Sequence, residues 1–99
     1  MADRPNIVVI YTDDPGYGDL SCYESEEIRT PHLDSLAEDG VRFTDFHSGA
    51  PVCSPARATL LTGRHHLRTG VYTVIQDHIH KMYLLKSEVT LAEVIKANG

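Results

Sequence analysis

The chain has 99 residues, 9 of them basic and 14 acidic, for a net charge of −5; this length suffices for one small domain that buries roughly two-thirds of its unfolded surface. The acidic balance argues against nucleic-acid binding, which calls for a basic face, and no apolar run approaches the roughly 20 residues that span a bilayer. Two cysteines, Cys22 and Cys53, are enough for one disulfide, but nothing in their spacing demands it. Met1-Ala2-Asp3-Arg4-Pro5 runs straight into the first apolar segment, so no signal peptide is visible, as expected of a cytosolic protein or of one whose leader is missing from this chain.

Residues 6–11 are a continuous apolar, β-branched run, the pattern of a strand buried on both faces in a parallel sheet. Residues 12–23 form a loop punctuated by Pro15, Gly16 and Gly18. Thr30 caps a helix with Pro31 at its first position; Leu33, Leu36 and Ala37 form its apolar stripe, and Gly40 stops it. Residues 41–46 alternate as a short strand. A second helix over 55–61 is ended by Gly63. Residues 71–85 mix Tyr, Ile, His and Lys without a clear period. Thr90 and Glu93 form a capping box for a last helix, which ends at the Gly99 stop. Strand, helix, strand, helix, helix predicts an α/β fold.

Chemistry concentrates in two places. At the second helix, Ser54 is a good N-cap and Pro55 then falls at the first helical position, where its missing N–H is harmless. That register puts Cys53 just outside the helix, beside unpaired backbone N–H groups at the positive end of the dipole. Arg57, in the first turn, adds a permanent positive charge, and an anion is at ease there. The other place is Asp13-Asp14, just past the first predicted strand, where ligands gather in open α/β sheets. Adjacent carboxylates repel, so a hard divalent cation neutralises them naturally, although calcium takes about 6–8 oxygens and two residues rarely suffice. Pro15 is expected to hold Asp14 extended, and Asp19, with Tyr17 and Gly18, to support the loop.

Cys53-Ser54-Pro55-Ala56-Arg57, followed by Ala58-Thr59-Leu60-Leu61-Thr62-Gly63-Arg64, resembles the signature of the type I sulfatases. Pro5-Asn6-Ile7-Val8-Val9-Ile10 leading to Asp13-Asp14 and Gly16-Tyr17-Gly18-Asp19-Leu20 resembles that family's opening strand and metal-binding turn. Thr30-Pro31-His32-Leu33-Asp34-Ser35-Leu36-Ala37 through Gly40-Val41-Arg42-Phe43-Thr44 resembles its next helix and strand. The three blocks stand in the family's order and spacing, and the resemblance covers roughly residues 4–70 and 88–99. Pro15 departs from the family, where Leu or Met is commoner.

The resemblance implies an alkaline-phosphatase-like α/β fold, a three-layer sandwich, of which residues 1–99 are an N-terminal portion of the catalytic domain. It implies that a maturation (formylglycine-generating) enzyme oxidises Cys53 to formylglycine. One hydroxyl of the hydrated aldehyde attacks the sulfur of a sulfate monoester and expels the alcohol; the other loses its proton, and the aldehyde reforms by ejecting sulfate. Arg57 would hold the hydrate and stabilise oxyanion charge. Asp13, Asp14 and position 53 would contact a divalent metal, calcium first and magnesium second, with a further Asp and an Asn or Gln from beyond residue 99. The general acid, a histidine, would also come from there.

Related enzymes with this site type cleave phosphate or phosphonate monoesters, which is the alternative activity; a catalytically incomplete fragment or binding module is the alternative of another class. Arg64 and His65-His66 follow a helix stop, where side chains are usually solvated. His78 and His80 alternate as on a strand and mimic a metal pair, without an evident third ligand.

Overall fold

A computed structural model describes residues 4–76 and 81–99. The chain divides into two compact units, Ile7–Phe46 and Met1–Asn6 with His47–Gly99. Three α-helices are present among the described residues: α1 (Pro31–Asp39), α2 (Cys53–Thr62) and α3 (Leu91–Ala97). Single 3-10 turns occupy Tyr17–Asp19, Ser21–Tyr23 and His66–Arg68. No helix among the described residues is long and apolar enough to cross a membrane.

Within Ile7–Phe46, Pro31 opens α1 at its first position behind Thr30, as the sequence predicts. The Thr30 hydroxyl does not cap the helix, however. It takes the Ser21 N–H at 3.0 Å, lies 2.9 Å from Ser21 Oγ and donates to Asp34 Oδ1 at 3.1 Å. Ser21 Oγ donates to Asp34 Oδ2 at 2.6 Å and accepts from the Thr30 N–H at 2.8 Å. This polar knot holds the turn Ser21–Tyr23 against α1. The hydrogen bond from Ser21, with that from Thr30, holds the Asp34 carboxyl below its usual range. Tyr23 adds a phenolic bond to the Phe43 carbonyl at 2.8 Å, and the Arg42 guanidinium donates to the Cys22 carbonyl. The predicted stripe does lie along α1, but Leu36 remains 64% exposed, and no described residue of this unit is fully buried.

The two predicted strands are not present: residues 6–11 and 41–46 carry no strand, and none occurs among the described residues. The α/β sandwich is therefore not seen directly in this part of the chain. The reason is physical. A strand exists by its ladder, and a parallel strand buried on both faces needs neighbours at both edges and cover above and below. Here Val8 is 82% and Ile10 74% exposed, so the run carries the right residues without the partners that make a strand.

The unit containing His47–Gly99 is built differently. Ala50, Pro55, Ala56, Ala58, Thr69, Val71 and Glu88 are buried. Small residues on α2 let α3 and the turn His66–Arg68 come close. Gly49 lies so near α2 that a Cβ there would stand 2.3 Å from Thr59 Cγ2. Gly63 ends α2 at φ +64 with its N–H on the Thr59 carbonyl at 2.8 Å, a left-handed stop that glycine adopts without strain. The capping box of α3 forms as expected: Glu93 N–H donates to Thr90 Oγ1, and Thr90 N–H to Glu93 Oε2 at 2.8 Å. The Thr90 N–H bond first, and then the one that the Thr90 hydroxyl donates to the same Glu93 oxygen at 2.8 Å, hold the Glu93 carboxyl below its usual range. The described part of 71–85 has neither helix nor strand; Leu85 N–H bonds the Thr69 carbonyl at 2.9 Å.

Candidate active site on the second helix

The register of α2 differs from the sequence expectation. The helix begins at Cys53, with Val52 in the capping position at φ −135 and ψ 156, so Cys53 is the first helical residue, Ser54 the second and Pro55 the third. A proline fits there for the same reason it fits at the first position: none of the first four N–H groups has a partner inside the helix. The first intrahelical bond runs from Ala56 N–H to the Val52 carbonyl at 3.1 Å. Freed from capping, Ser54 Oγ accepts the Ile75 N–H at 3.0 Å and ties residues 71–76 to the start of the helix.

This register sorts the motif residues by depth. Cys53 is an exposed free thiol, Pro55 and Ala56 are buried beneath it, and Arg57 is half-buried one turn on. Residues four apart share a helix face, so the thiol and the guanidinium stand on one side of the helix start. A ten-residue helix offers unpaired N–H groups and a positive dipole end at this point. The arrangement suits a reacting group that must meet an anion.

Asp13 and Asp14 lie in the other unit, exposed, ahead of the turn Tyr17–Asp19. The expectation that Pro15 keeps Asp14 extended is not met: Asp14 has φ +52. Aspartate tolerates the left-handed region better than most residues. The conformation has a chemical consequence. An extended backbone sends consecutive side chains to opposite faces, and the left-handed residue removes that alternation between the two carboxylates. Asp19 supports the loop as predicted, its Oδ2 accepting the Gly16 N–H at 2.5 Å.

Two adjacent carboxylates are an oxygen-donor pair of the kind a hard cation takes. Among the described residues, no group of three or more His, Cys, Asp or Glu side chains is arranged to hold a metal. The pair therefore fits part of a calcium or magnesium shell and not the whole. His78 and His80 lie outside the described residues.

Arg64 is engaged elsewhere than at Cys53: its guanidinium meets the buried Glu88 carboxylate at 2.5 Å, pinning the exit of α2 to the approach of α3. His66 is half-buried, and its Nδ1 lies 3.3 Å from the Gly49 carbonyl. The sequence carried no signal for this contact, because it joins a turn to a loop 17 residues away. Cys22 is a half-buried free thiol.

Comparison with known proteins places these residues in context. The family model described as Sulfatase matches residues 5–99. The chain is 48% identical over 99 residues to arylsulfatase A of Homo sapiens, covering 100% of the chain and 20% of that relative. It is 43% identical over 103 residues to human arylsulfatase D, covering 99% of the chain and 17% of the relative. To steryl-sulfatase of Mus musculus it is 44% identical over 103 residues, covering 96% of the chain and 16% of the relative. The chain thus spans about a fifth of the length of the relatives it matches.

Proposed function

The chain belongs to the sulfatase family, and from that premise we propose that the protein carrying it hydrolyses a sulfate monoester with formylglycine, made from Cys53, as nucleophile. Membership implies an alkaline-phosphatase-like fold. The three-layer sandwich is part of the proposal, supported by the uncovered run Ile7-Val8-Val9-Ile10, which has the composition of an interior strand.

One observation carries the reading: on α2, an exposed Cys53 stands over buried Pro55 and Ala56, with Arg57 one turn away. A maturation enzyme with an external oxidant would convert the thiol. The hydrated formylglycine supplies one hydroxyl for attack and a second through which sulfate is released. The backbone N–H groups at the start of α2 and the Arg57 guanidinium would bind the ester's anionic oxygens, holding the sulfur over position 53. Ser54, through its bond to Ile75, keeps that end of the helix in place. Asp13 and Asp14 would supply carboxylate oxygens to a divalent cation, calcium before magnesium. When bound, this cation supplies positive charge that screens the ester and lowers the nucleophile's pKa. Protonation of the departing alcohol falls to an acid outside these 99 residues.

The test is made on the full-length protein containing this segment, co-expressed with a formylglycine-generating enzyme. The peptide bearing residue 53 is expected to lose mass and react with a hydrazide, and the protein to turn over an aryl sulfate faster than the matching phosphate ester. The isolated 99-residue polypeptide is expected to show negligible turnover. An active protein with an unmodified thiol at 53 refutes the formylglycine reading and favours a directly metal-activated hydrolase.

A further inference from the structure

The geometry points to His66 as a positioning residue for the nucleophile at position 53, an inference that rests on the sulfatase reading above. The argument follows a chain of contacts within the unit that contains α2. Thr69 is fully buried. Its N–H and its hydroxyl both donate to the His66 carbonyl, at 3.0 and 2.7 Å, and its own carbonyl accepts the Leu85 N–H at 2.9 Å. The His66 backbone is thereby fixed from the interior. Its ring is fixed from outside: His65 stacks on it at 4.4 Å between centroids and 27° between planes, while His65 Nδ1 accepts the Leu67 N–H at 3.4 Å. The ring so held reaches the Gly49 carbonyl at 3.3 Å.

Gly49 is four residues before Cys53 and occupies a place where no other residue fits, since a Cβ would enter Thr59 of α2. Ala50 behind it is buried, and Ser48 Oγ closes on the Ala50 carbonyl at 3.0 Å. The segment entering α2 is thus held on one side by the helix and on the other by His66. A carbonyl only accepts, so this contact is made by the tautomer that carries its proton on Nδ1. Releasing it frees residues 49–52 to shift, and with them the first helical residue, Cys53. Small displacements of a reacting group have large effects on rate.

The experiment uses the full-length protein, matured at position 53, with His66→Ala and His66→Asn, whose side-chain amide offers an N–H near the position of Nδ1. His66→Ala is expected to be converted to formylglycine as fully as wild type, with kcat for an aryl sulfate lowered roughly five- to tenfold and KM nearly unchanged. His66→Asn is expected to recover to within about threefold of wild type. Amide hydrogen exchange over residues 48–54 reads the same contact without turnover: it should speed up in His66→Ala and return towards wild type in His66→Asn. A wild-type kcat in the alanine variant, an asparagine variant no better than alanine, or unchanged exchange overturns the assignment. A wild-type protein with the aldehyde in place and no sulfatase turnover overturns the proposed function instead, and the exchange result then decides the role of His66 by itself.

Discussion

In Ile7–Phe46 the ordering contacts are hydroxyls and a carboxylate: Ser21, Thr30 and Asp34 close on one another while Leu36 and the whole run Ile7-Val8-Val9-Ile10 face outward. In His47–Gly99 the ordering contacts are close approaches of small residues, with Pro55, Ala56, Ala58 and Thr69 enclosed. The first unit leaves its apolar run uncovered; the second encloses the small residues of α2, while Leu60 and Leu61 stay 37% and 43% exposed. The contrast assigns different duties to the two parts. The chemistry proposed for position 53 sits on a pre-packed support, whereas the carboxylate turn lies in a unit whose apolar run Ile7-Val8-Val9-Ile10 is left uncovered.

The largest expected effect lies on the packed unit. In the matured full-length protein, Cys53→Ala should lower aryl sulfate turnover by at least about a thousandfold without lowering the unfolding temperature, because the side chain is exposed; comparable turnover in the variant breaks the division of labour. Next comes the carboxylate turn. Asp13→Ala or Asp14→Ala should reduce bound divalent cation and lower activity by about a hundredfold or more, and Asp19→Ala, which removes the bond to the Gly16 N–H, should do less. Full metal content in the Asp13 variant would remove the ligand assignment.

The comparison of packing is sharpened by a pair of substitutions in the 99-residue polypeptide. Ala58→Leu forces extra carbons into an enclosed position and should cost about 1–3 kcal/mol, whereas Leu36→Ala on the open face of α1 should stay within about 0.5 kcal/mol. Thermal unfolding of both variants checks the order, and the reverse order would mean that α1 holds the more important interior.

A gentler effect concerns acid. The folded Asp34 carboxyl titrates below its usual 3.8 because the hydrogen bond from Ser21, with that from Thr30, favours the charged form. Its contribution is therefore present above that value and is lost as pH falls through the lower folded one. Amide protection around Ser21 and Thr30, relative to the intrinsic exchange rate at each pH, should fall on acidification below about pH 4, and Asp34→Asn should flatten the response. The smallest effect is expected for Cys22→Ser, which should leave turnover almost unchanged.

Legibility in the sequence followed the range of the forces. The α3 capping box, the Gly63 stop and the Pro31 start were readable because each is settled within four residues. The motif around Cys53 identified α2 but misplaced its first residue by two, since Ser54 has a competing partner in Ile75, far along the chain. The strand over 6–11 had the right composition, yet a ladder is made by its neighbours and not by its own residues. Asp14 went against the usual influence of a following proline. His66 and Arg64 were opaque because their partners, Gly49 and Glu88, lie 17 and 24 residues away.

The depth of Pro55 sets a clock. Folding encloses Pro55 almost completely, so the maturation enzyme proposed above, if it reads Pro55 together with Cys53 and Arg57, would meet them only while the chain is open. Under the proposed function, conversion and folding would compete for the same molecules, and the ratio of their rates would set how many become active. A variant that folds this unit faster should emerge more stable and yet carry a smaller fraction of aldehyde, and slowing translation ahead of α3 should raise that fraction. Yield of active protein would then be governed by the lifetime of an unfolded segment rather than by the stability of the folded one.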